Sequence, residues 1–130
     1  MKKTVKRGEV TIKLDGKMYE EYNGLRGDDR VILDALIFVM EKDTNRFVLD
    51  DKTLEVLKAQ TGYVVGSIKN AMVRLVKTHI VDRLPDNGGY YINPTFAIKG
   101  SECKIWKFIQ SIQYKGNVPR EVTINCHEID

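Results

Sequence analysis

The feature that most constrains the fold is a pair of helix-like segments separated by one glycine, in the middle of the chain. The first segment occupies residues 51–60, and Thr61-Gly62 ends it. The second starts at Tyr63 or Val64 and continues to about Thr78, with apolar residues at helical spacing. Two short helices joined by a glycine turn predict a helix-turn-helix unit.

A β-hairpin is predicted immediately after the second helix. Residues 80–84 and 90–93 are rich in apolar and β-prone residues, and the turn Pro85-Asp86-Asn87-Gly88-Gly89 separates them. Asn-Gly between two such runs is the strongest short hairpin signal. The order helix, turn, helix, strand, turn, strand is typical of a winged helix-turn-helix, with the hairpin as its wing. We therefore expect an α+β fold of this kind with an N-terminal strand and a C-terminal helix.

The flanking sequence predicts further elements around this unit. Residues 9–14 alternate as a half-buried strand and Asp15-Gly16 gives a turn, whereas residues 17–27 suggest a loop or a ragged second strand. A buried helix capped by Asp28 is expected through Glu41. The other expected elements are a short strand at 47–49, a helix from about Ser101, and an edge strand in the tail. This divides the chain into a basic arm and strand region (1–27), the winged domain with its last helix (28–114), and a tail (115–130).

Composition fits one small domain with a mild positive charge. The chain has 130 residues, of which 42% are hydrophobic, and a formal net charge of +3, which permits an acidic partner without requiring one. The charged N-terminus lacks an apolar leader region, and no stretch approaches the roughly 18 apolar residues of a membrane span. Cys103 and Cys126 are too few and too isolated to suggest a disulfide framework. We expect an unprocessed cytoplasmic protein without a membrane segment.

The outward positions of the second helix are the main candidates for contacts with double-stranded DNA, because one α-helix fits the major groove. Asn70 could pair with an adenine edge, Lys69 with guanine or a phosphate, and Ser67 with a base or the backbone. Gly66 would allow close approach of the backbone to DNA, or is simply a flexible turn. The predicted DNA-binding residues are Tyr63, Gly66, Ser67, Lys69, Asn70, Arg74, Lys77, Arg83 and Asn87.

Two of the basic or polar features have an equally ordinary explanation. Tyr63 could donate a hydrogen bond to a phosphate or pack across the turn. The cluster Lys2, Lys3, Lys6 and Arg7 could be an arm that reaches a minor groove or a solubilising terminus. Positive charge outweighs negative charge across residues 52–83, which favours DNA, although solvated helices share this pattern.

The sequence offers no constellation of acid, base and nucleophile, so we do not expect an enzyme, a cofactor or a metal site. His79 ends the second helix, where a capping role is expected. A metal site from Cys126-His127 with Cys103 and His79 requires several coincidences. The paired carboxylates Asp28-Asp29 and Asp50-Asp51 each stand where a helix begins, and capping explains them.

Several short motifs resemble a known family. They are Thr61-Gly62-Tyr63, the helix Ser67-Ile68-Lys69-Asn70-Ala71-Met72-Val73-Arg74-Leu75-Val76-Lys77, the strand Gly89-Tyr90-Tyr91-Ile92-Asn93-Pro94, and Phe96-Ala97-Ile98-Lys99-Gly100. With them, the segment from Val31 to about Ile112 resembles the winged-helix plasmid replication initiators of Gram-positive bacteria (RepL-like). The resemblance implies origin binding and recruitment of host replication proteins, without catalysis. It does not extend to the N-terminal strand region or the tail.

These observations lead us to expect a sequence-specific double-stranded-DNA-binding protein, with plasmid replication initiation as its role. A transcriptional repressor of a plasmid, phage or conjugative element is the close alternative, and a winged-helix module that binds protein is the second. The last helix carries apolar residues that could be core or a partner face, and a homodimer through it is reasonable for a two-fold DNA reader. Its apolar residues are Cys103, Trp106, Phe108, Ile109 and Ile112.

Overall fold

The computed structural model describes residues 4–113 and confirms the mixed α+β class. Five helices lie within these residues: α1 (Lys17–Asn23), α2 (Gly27–Val39), α3 (Asp51–Thr61), α4 (Val65–Thr78) and α5 (Glu102–Gln113). The strands are β1 (Thr4–Arg7), β2 (Val10–Lys13), β3 (Arg46–Phe47), β4 (Val81–Arg83), β5 (Tyr90–Ile92) and β6 (Ala97–Lys99).

The strands form two small antiparallel sheets. One has the order β1-β2-β6, so the N-terminal hairpin is bonded to the strand that precedes α5. The other has the order β3-β5-β4, in which the short β3 pairs with the second strand of the β4–β5 hairpin. The two sheets are therefore built from interleaved parts of the chain, and the N-terminal region is joined to the rest by a strand ladder.

The main core lies between α2, α3 and α4. Leu36 of α2, Leu57 of α3 and Leu75 of α4 are each completely buried in one hydrophobic cluster. A smaller cluster packs α5 on the hairpin, where Ile105 and Ile109 contact the buried Leu84 and Tyr91 region. Burial of side chains of this size stabilises the fold by about 1.5–3 kcal/mol each, so the three central helices are held in one arrangement.

Asn45 connects the two sheets. Its side chain is fully buried, and its amide nitrogen donates hydrogen bonds to the carbonyl oxygens of Ile92 (2.9 Å) and Ala97 (2.8 Å). Its amide oxygen accepts a hydrogen bond from the backbone N–H of Lys99 (3.1 Å). The residue has a φ of 59°, in the left-handed region that asparagine tolerates better than most side chains. One buried amide thus satisfies backbone groups of both β5 and β6.

The structure corrects several predicted elements. Residues 17–23 form helix α1 instead of a loop or strand, because Met18, Tyr19 and Tyr22 pack against the core and hold a short helix that has no clear period of its own. The strands β1 and β6 were not predicted, since each is short and depends on pairing with β2. Of the predicted strand at 47–49 only Phe47 is in a strand, because β3 is Arg46–Phe47.

The N-termini of three helices agree with the sequence prediction to different degrees. Asp50 is the N-cap of α3, as expected, and accepts a hydrogen bond from the N–H of Thr53 at 2.8 Å. Asp28 is not the N-cap of α2, because that helix begins at Gly27 and Arg26 occupies the cap position. The α4 helix begins at Val65, one or two residues later than predicted, since the backbone at Val64 is still extended.

The N-terminal basic cluster and the cysteines are only partly described. Lys6 and Arg7 belong to β1, while Lys2 and Lys3 lie outside the described residues, as does the predicted tail. Cys103 is disulfide-bonded, which the number and spacing of the cysteines did not suggest. Between residues 4 and 113, the helices are all too short or too polar to cross a membrane.

We expect Asn45→Ala to lower the free energy of unfolding by at least about 2 kcal/mol, because buried carbonyl groups of Ile92 and Ala97 lose their donor. Urea unfolding measures this. Asn45→Gly relieves any cost of the positive φ but loses the same hydrogen bonds, so it should also be destabilised. The exposed variant Asn70→Ala is the control. Wild-type stability in both Asn45 variants would contradict the structural role of the amide.

Candidate nucleic-acid interface

A fixed turn sets the direction of α4 relative to α3. Gly62, with a φ of 78°, closes α3, and its N–H donates a hydrogen bond to the carbonyl oxygen of Lys58. The Thr61 hydroxyl donates to the carbonyl of Leu57 at 2.7 Å and accepts from the N–H of Tyr63 at 3.1 Å. Tyr63 is partly buried and packs against the core. The packing role considered for this tyrosine is therefore present, and its contact with phosphate stays a prediction.

One face of α4 is exposed to solvent along the length of the helix. Ile68, Ala71, Met72 and Leu75 are buried. Spacings of four, three and four residues place a second set on the opposite side of the helix at 3.6 residues per turn. We call this exposed set the α4 stripe; it consists of Gly66, Asn70, Val73 and Lys77. Ser67 and Lys69 are also exposed and flank the stripe on its two sides.

The outward face of α4 carries positive charge without negative charge. The helix contains no aspartate or glutamate. Lys69 and Lys77 form no salt bridge or side-chain hydrogen bond with other residues in the described part of the chain. Ser67 and Asn70 likewise keep their polar groups directed to solvent there. These side chains are available to an external acceptor, as phosphates and base edges are.

Arg74 differs from its neighbours because it is engaged inside the protein. Its Nε and Nη2 donate hydrogen bonds to the two carboxylate oxygens of Asp29, at 2.8 and 2.7 Å. The Asp29 side chain is only 3% exposed, and the Arg74 side chain is 35% exposed. The hydrogen bond to Asp29 raises the pKa of Arg74 further above its usual value. The structure therefore gives Arg74 the role of tying α4 to α2, and Asp29 the role of its partner.

Gly66 has no structural reason to be glycine. Its φ is not positive, and a Cβ built at this position would meet no atom within 4 Å. Glycine within a helix costs up to about 1 kcal/mol relative to alanine. Of the two explanations offered from the sequence, close approach of a ligand to the α4 backbone is the one that gives the missing side chain a function.

The β4–β5 hairpin projects beside α4 with a well-defined turn. Asp86 and Asn87 both have positive φ values, 56° and 59°, and Gly88 N–H donates to the carbonyl of Pro85 at 3.0 Å. The left-handed pair is thus Asp86-Asn87, one residue earlier than the predicted Asn-Gly pair. Gly89 is required, because a Cβ there would lie 2.5 Å from the carbonyl oxygen of Phe47.

Arg83 and Asn87 lie on this hairpin and are exposed. The Arg83 guanidinium carbon lies 5.4 Å from the centre of the Tyr90 ring, a cation–π geometry that supports the side chain along the hairpin. Asn87 is at the tip of the turn. Both residues are therefore accessible, and they lie on a different element from the α4 stripe.

A second region of interest is a cavity of about 460 Å³ beneath the N-terminal hairpin. Its walls are mainly apolar, and Asp34 lines it together with Tyr22, whose hydroxyl donates to the carboxylate at 3.3 Å. Burial raises the pKa of Asp34. The cavity lies away from the α4 stripe. Unlike the cavity, the α4 stripe and its flanking residues bring four exposed polar side chains together on one helix: Ser67, Lys69, Asn70 and Lys77.

The next feature is the residues considered from the sequence for a metal site. Within residues 4–113, no three histidine, cysteine, aspartate or glutamate side chains are placed to hold one metal ion. His79 occupies the left-handed C-cap of α4, and its Nδ1 lies 3.0 Å from an Asp82 oxygen. Its position matches the expected capping role. Cys126 and His127 lie outside the described residues.

We expect Arg74→Ala to lower the free energy of unfolding by about 2 kcal/mol, since it leaves the buried Asp29 carboxylate without its partner. Arg74→Lys should be intermediate, because an ammonium group cannot form the paired hydrogen bonds. Thermal and urea unfolding measure the effect, with the exposed Lys77→Ala as the matched control. Equal stability of Arg74→Ala and Lys77→Ala would show that the pair contributes nothing to folding.

Comparison with known proteins identifies no relative of this chain. Neither a protein-family model, nor a curated protein, nor a solved structure matches it. What the protein does is therefore to be inferred from α4 and the hairpin themselves.

Proposed function

We propose that the protein binds double-stranded DNA in a sequence-specific manner through α4, with the β4–β5 hairpin as a wing. The observation that carries this proposal is the α4 stripe with its flanking Ser67 and Lys69, an exposed helix face without acidic residues opposite a fully buried one. A helix about 10–12 Å across fits a major groove about 12 Å wide. A face of this kind provides donors both to phosphates and to base edges.

The order and pairing of elements support a winged helix-turn-helix. From α2 onward the chain runs α2, β3, α3, α4, β4, β5, and β5 lies between β3 and β4 in the sheet. In such a domain the second helix of the α3–α4 pair enters the groove while the first crosses the backbone. The hairpin starts directly after α4, so a duplex seated on α4 has the hairpin at its side.

Each candidate residue then has a proposed role. Ser67, Lys69 and Asn70 near the N-terminal half of α4 contact base edges or nearby phosphates, and Lys77 contacts a phosphate. Arg83 and Asn87 contact the backbone or the adjoining groove from the hairpin. Arg74 is assigned no base contact, because its Nε and Nη2 already donate to Asp29.

The narrower biological role is proposed as origin binding by a plasmid replication initiator. This proposal comes from the resemblance of residues 31–112 to the RepL-like family and includes recruitment of host replication proteins. It predicts that the gene, with its origin cloned in cis, supports autonomous replication. A repressor of a plasmid, phage or conjugative element would bind DNA equally well, fail this test and reduce transcription from a nearby promoter.

A homodimer and a protein-binding module are the other arrangements to distinguish. Ile105 and Ile109 of α5 are buried within the protomer, but Trp106, Phe108 and Ile112 are only partly buried, so a second copy could cover them. Selected DNA sites with two-fold symmetry would support a dimer. A module that binds only protein should show no affinity for duplex DNA at any salt concentration.

The first test is the salt dependence of binding to duplex DNA, measured by fluorescence anisotropy. Because bound phosphates release counterions, the logarithm of affinity should fall linearly with the logarithm of salt concentration, with a slope of about −0.9 per phosphate contact. Lys77→Ala should make the slope less steep by about this amount for every sequence. Lys107→Ala, an exposed lysine on α5, is the control. Absence of binding at low salt would refute the proposed function.

A second test separates base contacts from phosphate contacts on α4. Asn70→Ala and Lys69→Ala should each weaken binding to the selected site by about 1–3 kcal/mol if they contact bases. Binding to random duplex should change less. Arg83→Ala should instead weaken specific and random duplex alike. If both α4 variants bind as tightly as the wild type, α4 is not the recognition helix.

Gly66→Ala tests the close approach of the α4 backbone to DNA. The substitution has room and should leave the melting temperature unchanged or raise it, because alanine favours helix by up to about 1 kcal/mol. We expect weaker DNA binding despite this stability. Gly27→Ala, at a helix glycine of α2 that also has room for a Cβ, is the matched control away from α4. Unaltered affinity of Gly66→Ala would favour the alternative that Gly66 is a tolerated helix glycine.

A further inference from the structure

The α4 stripe contains an exposed apolar side chain that the proposed phosphate and amide contacts do not use. Val73 is 51% exposed in the middle of the helix, between Asn70 and Lys77. Val64, the residue before α4, is 66% exposed. An isolated exposed valine is ordinary, but Val73 lies on the same face as the one amide of the helix and directly opposite the core.

The α4 stripe carries no arginine that could read guanine. Guanine is most often read by an arginine or a lysine that bonds two acceptors at once, and the planar guanidinium fits this geometry better than an ammonium group. Arg74 is the one arginine of α4; it lies beside the stripe, and its Nε and Nη2 donate to Asp29 at 2.8 and 2.7 Å. What the stripe offers to base edges is therefore an amide and an apolar group, with Lys69 at its side as a point charge.

These two groups match the two edges of an A·T pair. An asparagine amide bonds the N6 and N7 positions of adenine, and an apolar side chain contacts the C5-methyl group of thymine. Asn70 and Val73 are separated along the helix axis by about 4.5 Å. That rise is close to the roughly 3.4 Å between successive base pairs, so both can engage the same or adjoining pairs.

We infer that α4 selects sites with an A·T step in the major groove, in which Asn70 bonds adenine and Val73 contacts a thymine methyl group. This inference rests on the proposed function and specifies its substrate. The absent side chain at Gly66 is one turn before Asn70 on the same stripe, which allows the helix to lie deep enough for a side chain as short as valine to reach the base.

The test replaces thymine with uracil, one position at a time, in the site obtained by selection from random duplexes. Uracil keeps the base pair and removes only the C5-methyl group. At one thymine or its symmetry mate, we expect about a fourfold loss of affinity, the value for one buried methyl group. In Val73→Ala the same replacement should have little effect, since the contact is already gone. Val31→Ala, an exposed valine on α2, should behave as the wild type.

The outcomes separate this inference from the function on which it rests. A uracil effect that persists in Val73→Ala, or a selected site with only G·C pairs at its informative positions, would overturn the A·T assignment while leaving DNA binding in place. Salt-dependent binding without any selected sequence would do the same. No binding to any duplex would overturn the proposed function itself, and exposure of Val73 would then indicate a protein-binding face.

Discussion

The buried amide of Asn45 is the interaction on which the rest of the arrangement depends. Each sheet has only three strands of two to four residues, so few ladder hydrogen bonds hold it together. Asn45 bonds the carbonyls of Ile92 and Ala97, and its own backbone carbonyl accepts from the N–H of Ile92 at 3.0 Å. Because a buried carbonyl without a donor is costly, β5 and β6 can be buried side by side only with this amide in place.

Hydrogen bonds to backbone groups and tight packing also explain several residues of the motifs that resemble the RepL-like family. The Asn93 amide donates to the carbonyl of His79 and accepts from the N–H of Thr95, so it closes the connection behind β5. The Lys99 ammonium donates to two carbonyls at the C-terminal end of α2, those of Phe38 and of the C-cap Met40. A Cβ at Gly100 would clash with Asp43. These residues stabilise the fold. The resemblance that includes them therefore supports the proposed fold more strongly than the proposed role in replication.

Sequence patterns located the elements whose signals are local. Three predicted features depend only on neighbours within a few residues, and all three are present. They are the N-cap at Asp50, the end of α3 at Gly62 and the buried face of α4. The α1 helix and β6 depend on partners far along the chain, and propensity cannot supply these. The Asp29–Arg74 pair spans 45 residues, and nothing near Arg74 distinguishes it from Lys69 or Lys77 as a DNA contact. Only the folded structure shows that Arg74 is paired with Asp29, unlike the two lysines.

Arg74 also links stability to recognition. It lies at the edge of the exposed face, and its two hydrogen bonds to a carboxylate buried on α2 fix the rotation of α4 about its own axis. A helix rotated by one residue, about 100°, would move Asn70 away from the centre of the outward face. The buried leucines alone permit small adjustments, whereas a paired guanidinium and carboxylate have one geometry. Of the three basic residues of α4, the one paired with a buried carboxylate is therefore the one that positions the other two.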